Sequence, residues 1–223
     1  MQNAVVIVAG GSGKRMGTTI PKQFLEVNGL PILGHTIRQF YVFDPAMEIV
    51  VTLPKEWADY WQEQVTKFDL PKHVVVEGGK ERFHSVLNGL NRVSANVSIV
   101  GVHDAVRPCV SVETIARCYE AAAEHGAAIP VLAMVNSLRK VSSSGNESVD
   151  RQHFRSVQTP QCFQASILRK GYENGFRNEF TDDASVVEYA GNSIELVQGN
   201  PENVKATNPQ DLVLLRHFLS ATD

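Results

Sequence analysis

Short apolar runs alternate along this chain with longer stretches whose apolar residues recur at helical spacing. Residues 4–9, 48–53, 73–76, 97–102, 127–132 and 194–197 are rich in Val, Ile and Ala. These runs read as strands, those at 4–9 and 97–102 as strands buried on both faces in the middle of a parallel sheet. Ile32, Leu33, Ile37, Phe40 and Tyr41 approximate one helix behind Pro31, which suits the first helical position. Trp57, Tyr60, Trp61 and Val65 line one side of a second helix over 56–68, an arrangement that makes core. A third carries Val86, Leu87 and Leu90, and a fourth runs from a Ser111 cap to Gly126. Others cover 164–176, start at a Thr181 cap, and open at Asn208-Pro209 behind a loop and short strand over 200–207. Strands alternating with helices at these intervals predict an α/β fold. The expected architecture is a mainly parallel sheet with helices on both faces, in a single domain over 1–223.

One segment departs from this rhythm. From 133 to 157 the chain is polar and has no helical stripe. Segments 136–141 and 149–154 flank Ser142-Ser143-Ser144-Gly145-Asn146, a hairpin signal with a long loop. A two-stranded hairpin is marginal on its own in water. This protruding β-hairpin arm therefore needs support, for which a partner subunit is one candidate; a mobile surface flap is the other reading.

Composition narrows the class. With 43% hydrophobic and 20% charged residues the chain is ordinary for a globular protein. Its net charge of −3 argues against a broad nucleic-acid-binding face but leaves room for a local cationic pocket. Cys109, Cys118 and Cys162 are odd in number and form no C-x-x-C, so a reducing compartment is the natural home. No apolar run approaches the roughly 20 residues that span a bilayer, and no secretory signal is visible. A soluble cytoplasmic protein, with neither membrane nor nucleic acid as partner, is the expectation. The seven histidines show no zinc-ligand spacing.

Candidate chemistry begins where the first strand ends. Gly10-Gly11-Ser12-Gly13-Lys14-Arg15-Met16-Gly17 is followed by Ile20-Pro21-Lys22. Glycines let backbone N–H groups approach a ligand closely, and successive N–H groups form an anion-binding nest. With Lys14, Arg15 and Lys22 added, the loop suits a polyphosphate. It is no P-loop, because G-x-x-x-x-G-K-[ST] is absent. It is also a poor dinucleotide fingerprint, because Met16 stands where the third glycine should be. Gly78-Gly79-Lys80 makes a second glycine turn before a helix, with Ser85 placed to order it; a plain strand-to-helix turn is the alternative. The fourth strand ends in His103-Asp104-Ala105-Val106-Arg107, at the sheet edge where α/β folds bind ligands. Asp104 can hold Mg²⁺ and Arg107 can fork a phosphate, or the two can simply pair with each other. His103 reads as a turn residue, and Lys205 is the one cation of its loop.

Several motifs occur together: Ala-Gly-Gly-x-Gly-x-Arg-Met with Pro-Lys-Gln-Phe, Asp104-Ala-Val-Arg107, Thr159-Pro-Gln and Asn203-Val-Lys205-Ala-Thr207. Together they resemble the sugar-phosphate nucleotidyltransferases, and within them the 2-C-methyl-D-erythritol 4-phosphate cytidylyltransferase family, over nearly the whole chain. The resemblance implies a Rossmann-like nucleotidyltransferase fold, transfer of CMP from CTP to a polyol phosphate, pyrophosphate release, and Mg²⁺ or another divalent cation. It implies a homodimer in which each arm reaches into its neighbour. Carried over by position, Ala9, Gly10, Gly11 and Gly13 line CTP, and Arg15 and Lys22 hold its phosphates. Gly79, Lys80 and Ser85 read the base, Asp104 and Ala105 lie beside the nucleotide, and Lys205 sits between nucleotide and substrate. Arg107 and Thr159, with Ser137 and Arg151 from the partner's arm, bind the sugar phosphate. Asn136, Ser137 and Arg139 depart from the family's usual Asp, Thr and Lys, which leaves a ribitol-5-phosphate cytidylyltransferase as the alternative enzyme. A nucleotide-binding regulator that does not catalyse is the alternative of another class.

Overall fold

The computed structural model describes residues 2–11 and 20–220, and the expected loop residues Gly13 and Arg15 lie outside them. In chain order the strands are β1 (Asn3–Val8), β2 (Glu26–Val27), β3 (Leu30–Pro31), β4 (Glu48–Leu53), β5 (Val74–Glu77) and β6 (Ile99–Asp104). They continue as β7 (Ala127–Ala133), β8 (Leu138–Ser142), β9 (Gly145–Val149), β10 (Arg155–Val157), β11 (Gln161–Gln164) and β12 (Glu195–Gln198). The helices are α1 (Ile32–Phe43), α2 (Ala58–Lys67), α3 (Arg82–Arg92), α4 (Val112–His125), α5 (Ala165–Glu173), α6 (Asp183–Tyr189) and α7 (Pro209–Ser220).

The main sheet runs β10-β7-β11-β6-β1-β4-β5, with β12 on the other edge of β7. β6, β1, β4 and β5 are parallel neighbours, and β12 is parallel to β7. β10 and β11 are antiparallel, so the mainly parallel α/β architecture is present in mixed form. Strand alternation sorts the core into two layers. Val5, Ile7, Ile49 and Val51 face α1, α2 and α4, with Leu33, Phe40, Trp61, Ile115 and Tyr119. Ala4, Val6 and Val50 face α3, α5 and α6, with Val86, Leu90, Leu168 and Val187. Phe24 packs on Trp57, Tyr60 and Trp61, which confirms the aromatic stripe as core.

Several local expectations change. His103 and Asp104 belong to β6 itself, and His103 is buried in the sheet. The sequence leaves β10 and β11 unmarked, because they are only three and four residues long and their partners lie far along the chain. They follow one another along β7, and between the pairs Arg155–Ala133 and Phe163–Ala127 eight steps of one chain face six of the other. The excess falls at Gln158-Thr159-Pro160, a bulge that presents Thr159 to the end of β6. Asp182, not Thr181, caps α6, reciprocally with Ser185. Pro31 precedes α1 as its cap, and 203–207 holds no strand. The arm is the separate β8–β9 hairpin, turned by only two residues, Ser143 and Ser144, in place of a long loop. Its contacts are local: Lys140 with Glu147 at 3.5 Å, and Arg139 with Asn146.

Gly89 shows how tightly α3 lies on the sheet. A Cβ there would come within 2.5 Å of Val6 and 3.0 Å of Thr52. Alanine is the better helix former by about 1 kcal/mol, yet overpacking costs typically about 1–3 kcal/mol. Gly89→Ala is therefore expected to lower stability, by up to about 2 kcal/mol; urea unfolding that shows a gain would contradict this packing.

Candidate active site

The carboxyl ends of β1, β4, β5 and β6 lie along one edge of the sheet, and the segments that leave β1, β5 and β6 line a cavity of about 310 Å³. Its walls come from Ala9 to Gly11, from Gly79 to Arg82 with Ser85, from Asp104 and Ala105, and from Lys22 and Lys205. Each wall is fixed by the fold. The Ala9 N–H donates to Thr52 O at 2.8 Å, and its carbonyl accepts from the buried Gln23 amide at 2.6 Å. The Ala105 N–H donates to Val8 O at 3.1 Å, and its carbonyl accepts from Thr36 at 2.9 Å. The Gly79 N–H donates to Ser85 Oγ at 3.0 Å, so Ser85 does order the second glycine turn. A Cβ at Gly79 would collide with His84, which is why that turn needs glycine.

Asp104 is the electrostatic centre. Its Oδ2 lies 3.0 Å from both Arg107 Nε and Lys205 Nζ, and its Oδ1 lies 3.9 Å from Arg82 Nε. Burial alone would raise its pKa, but Arg82, Lys205 and Arg107 overcome burial and hold the carboxyl well below the usual carboxylate range. It is ionised at any working pH. The Asp104 N–H donates to Thr159 Oγ1 at 3.1 Å, and Thr159 Oγ1 lies 3.0 Å from His103 Nδ1. His103 Nε2 faces the Arg107 carbonyl at 3.1 Å and must donate to it, so Nδ1 accepts from the Thr159 hydroxyl. Burial, only partly opposed by that carbonyl and by Asp104, lowers His103 to about 4.

Lys22 and Lys205, 183 positions apart by number, meet at the same cavity. The nearly buried Lys22 donates through Nζ to Ala206 O at 2.6 Å, next to Lys205 in the chain. Arg107 stands behind Asp104 and outside the cavity lining, and its Nη1 donates to Asn203 O at 2.9 Å. It does pair with Asp104, as one of the two sequence readings held. Thr159 likewise supports Asp104 from behind. Ser137 and Arg151 are exposed and outside this lining; Arg151 bonds the Val135 carbonyl within its own arm. Arg82 is a lining cation that sequence reasoning missed. Asp183, fully buried on α6, holds it at 2.6 Å and in turn accepts from Tyr172 at 2.7 Å. The only signal was its place just after the second glycine turn.

Among the described residues no three His, Cys, Asp or Glu side chains gather as a metal cage. A hard octahedral cation that takes most ligands from phosphates and water needs only one or two protein carboxylates. The Asp104 carboxylate, one of two in the cavity lining with Glu81, meets that requirement.

The family model described as 2-C-methyl-D-erythritol 4-phosphate cytidylyltransferase matches residues 3–221. An enzyme of that name from Bacteroides thetaiotaomicron is 47% identical over 213 residues, covering 95% of this chain and 97% of its own. One from Clostridium perfringens is 40% identical over 221 residues, with 96% and 97% covered. The crystal structure of the enzyme of that name from Thermus thermophilus superposes with a TM-score of 0.80 at 34% identity, covering 99% of this chain and all of that one.

The neutral state of His103 has a measurable consequence. Between its unfolded value of 6.5 and about 4 the unfolded chain binds a proton that the folded chain refuses, so stability falls as pH falls through that window. His103→Asn is expected to flatten the pH dependence of urea unfolding there by up to one proton, about 1.4 kcal/mol per pH unit. Equal slopes in the two proteins would show that His103 is not held neutral.

Proposed function

The chain belongs to the 2-C-methyl-D-erythritol 4-phosphate cytidylyltransferase family, and from that premise we propose that the cavity at the sheet edge transfers CMP from CTP to 2-C-methyl-D-erythritol 4-phosphate. This is a step of non-mevalonate isoprenoid precursor synthesis. The observation that carries the reading is the convergence of Lys22, Asp104 and Lys205, from three distant segments, on one cavity.

A phosphate oxygen of the acceptor attacks the α-phosphorus of CTP, the bond to the β-phosphate bridging oxygen breaks, and pyrophosphate leaves. The attacking oxygen is already ionised, so no strong base is needed, and the buried carboxylate of the cavity, Asp104, is paired with cations. The barrier lies in bringing two anions together and in the charge that builds on a crowded phosphorus. Positioned cations answer both demands. Lys22 and Lys205 sit where they reach phosphate oxygens, the glycine backbone over 9–11 borders the triphosphate, and Gly79, Lys80 and Ser85 border the base. Asp104 would hold Mg²⁺, which supplies charge neutralisation to the triphosphate when bound.

The chain acts as a homodimer in this proposal. The two-stranded arm exposes Val135 and Val141 at 80% and 77%, and its Ser137 and Arg151 lie outside the lining of the sheet-edge cavity in their own subunit. An arm laid on a neighbour would cover the valines and bring the Arg151 cation to the acceptor phosphate. Three free cysteines and no described helix long and apolar enough to cross a membrane fit work in the cytoplasm.

Pyrophosphate release from CTP with methylerythritol phosphate, beside ribitol 5-phosphate, tests the reaction; turnover of the ribitol compound alone would reassign the acceptor. Lys22→Ala and Lys205→Ala are each expected to lower kcat by roughly 10²-fold or more, and near-normal turnover in both would remove their role. Arg151→Ala is expected to raise KM for the polyol phosphate with little change for CTP. An unchanged KM would separate the arm from the acceptor site.

A further inference from the structure

Both phosphate cations of the proposed mechanism are attached to one dipeptide. Lys205 supplies one, and the carbonyl of Ala206 holds the other by accepting from Lys22 Nζ at 2.6 Å. The precision of the cation pair therefore depends on what fixes 205–206. Upstream, the Asn203 carbonyl accepts from Arg107 at 2.9 Å and from Gln158 at 3.2 Å, while its amide donates to Thr159 O at 2.8 Å. In the middle, the Ala206 N–H donates to Val106 O at 2.9 Å. Downstream, a single carboxylate oxygen does the work. Asp211 Oδ2 accepts from the Thr207 N–H at 2.6 Å, the Thr207 hydroxyl at 2.8 Å and the Asn208 N–H at 2.8 Å.

We infer that Asp211 is a positioning residue for the transfer reaction: it fixes the 205–208 turn so that the Lys205 ammonium stays on Asp104 at the cavity wall. The inference rests on the function proposed above. Asp211 touches no cavity, and it acts from a rigid base. It lies in the first turn of α7, whose Leu215 and Leu219 are buried against Val27, Ile32, Val106 and Ala206. The far end of that helix is tied by Asn28, whose amide donates to Arg216 O at 3.0 Å and to Ser220 Oγ at 2.9 Å. Burial works against the charge of Asp211, but the Thr207 and Asn208 N–H groups, the Thr207 hydroxyl and Lys22 hold its carboxyl below the usual range. Three donors on one oxygen are more than an ordinary helix cap needs; they set the direction in which the chain leaves Lys205. Displacements of about 1 Å in a phosphoryl-transfer site cost up to about 10²-fold in rate.

Asp211→Ala is expected to lower kcat about tenfold or more, with KM for CTP changed far less. Asp211→Asn keeps an acceptor oxygen in place and is expected to restore kcat to within about threefold of the parent protein. Because Asp211 acts through Lys205 and, by way of the Ala206 carbonyl, through Lys22, the double variant Lys205→Ala/Asp211→Ala should fall well short of the product of the two losses. All rates are taken well below each variant's Tm. An Asp211→Ala protein with a lowered Tm but intact kcat, losses that multiply in the double variant, or Asp211→Asn as impaired as Asp211→Ala would each overturn the inference. If Lys205→Ala itself retained full turnover, the underlying reading of the cations would fall first, and this inference with it.

Discussion

A carboxylate at the end of a buried strand, held ionised by three cations, organises this molecule. Taking Asp104 out of water raises the cost of its charge, and only Arg82, Arg107 and Lys205 together reverse that cost. The reverse dependence holds as well. Without the carboxylate, three cations would crowd one another in the same partly buried region. The arrangement is a fixed lattice of opposite charges at the mouth of the sheet. In the proposed reaction an incoming triphosphate would meet cations that are already placed, leaving little reorganisation for the reaction itself.

The lattice is held from behind by uncharged groups. Thr159, His103 and the Arg107 carbonyl form a chain of hydrogen bonds that returns to Asp104 through its own backbone N–H. Thr159 and Arg107 come from a bulge and a loop while His103 and Asp104 end β6; all but the half-buried Arg107 are buried, so their polar atoms must find partners inside the protein. That requirement converts a flexible edge into a rigid one. It also explains why His103 stays neutral: a second positive charge beside Arg107 and Lys205, away from water, has no compensating anion to itself.

The arm obeys the opposite economy. β8 and β9 pair only with each other, and their side chains face solvent on both sides. Two strands of this kind bury too little surface to order themselves. Within one subunit the arm's Ser137 and Arg151 stay outside the lining of the cavity at the sheet edge. The dimer proposal joins arm and cavity.

The sequence by itself determined the elements and the rim of the site. Buried strands and amphipathic helices announce themselves through short-range periodicity, and glycine turns at strand ends mark where a phosphate can approach. From residues alone the α/β sheet, the Gly10–Gly11 and Gly79 turns, Asp104 and the hairpin were legible. Tertiary structure alone decided what stands behind them. Asp183 clamps Arg82 across 101 positions, Lys22 reaches Ala206 across 184, and the 158–160 bulge brings Thr159 to Asp104. None of these has a local signature, because a hydrogen bond or ion pair needs only two groups in space and imposes no pattern on the residues between them. Periodicity reports which face of an element is buried; it carries no record of which distant side chain meets it there.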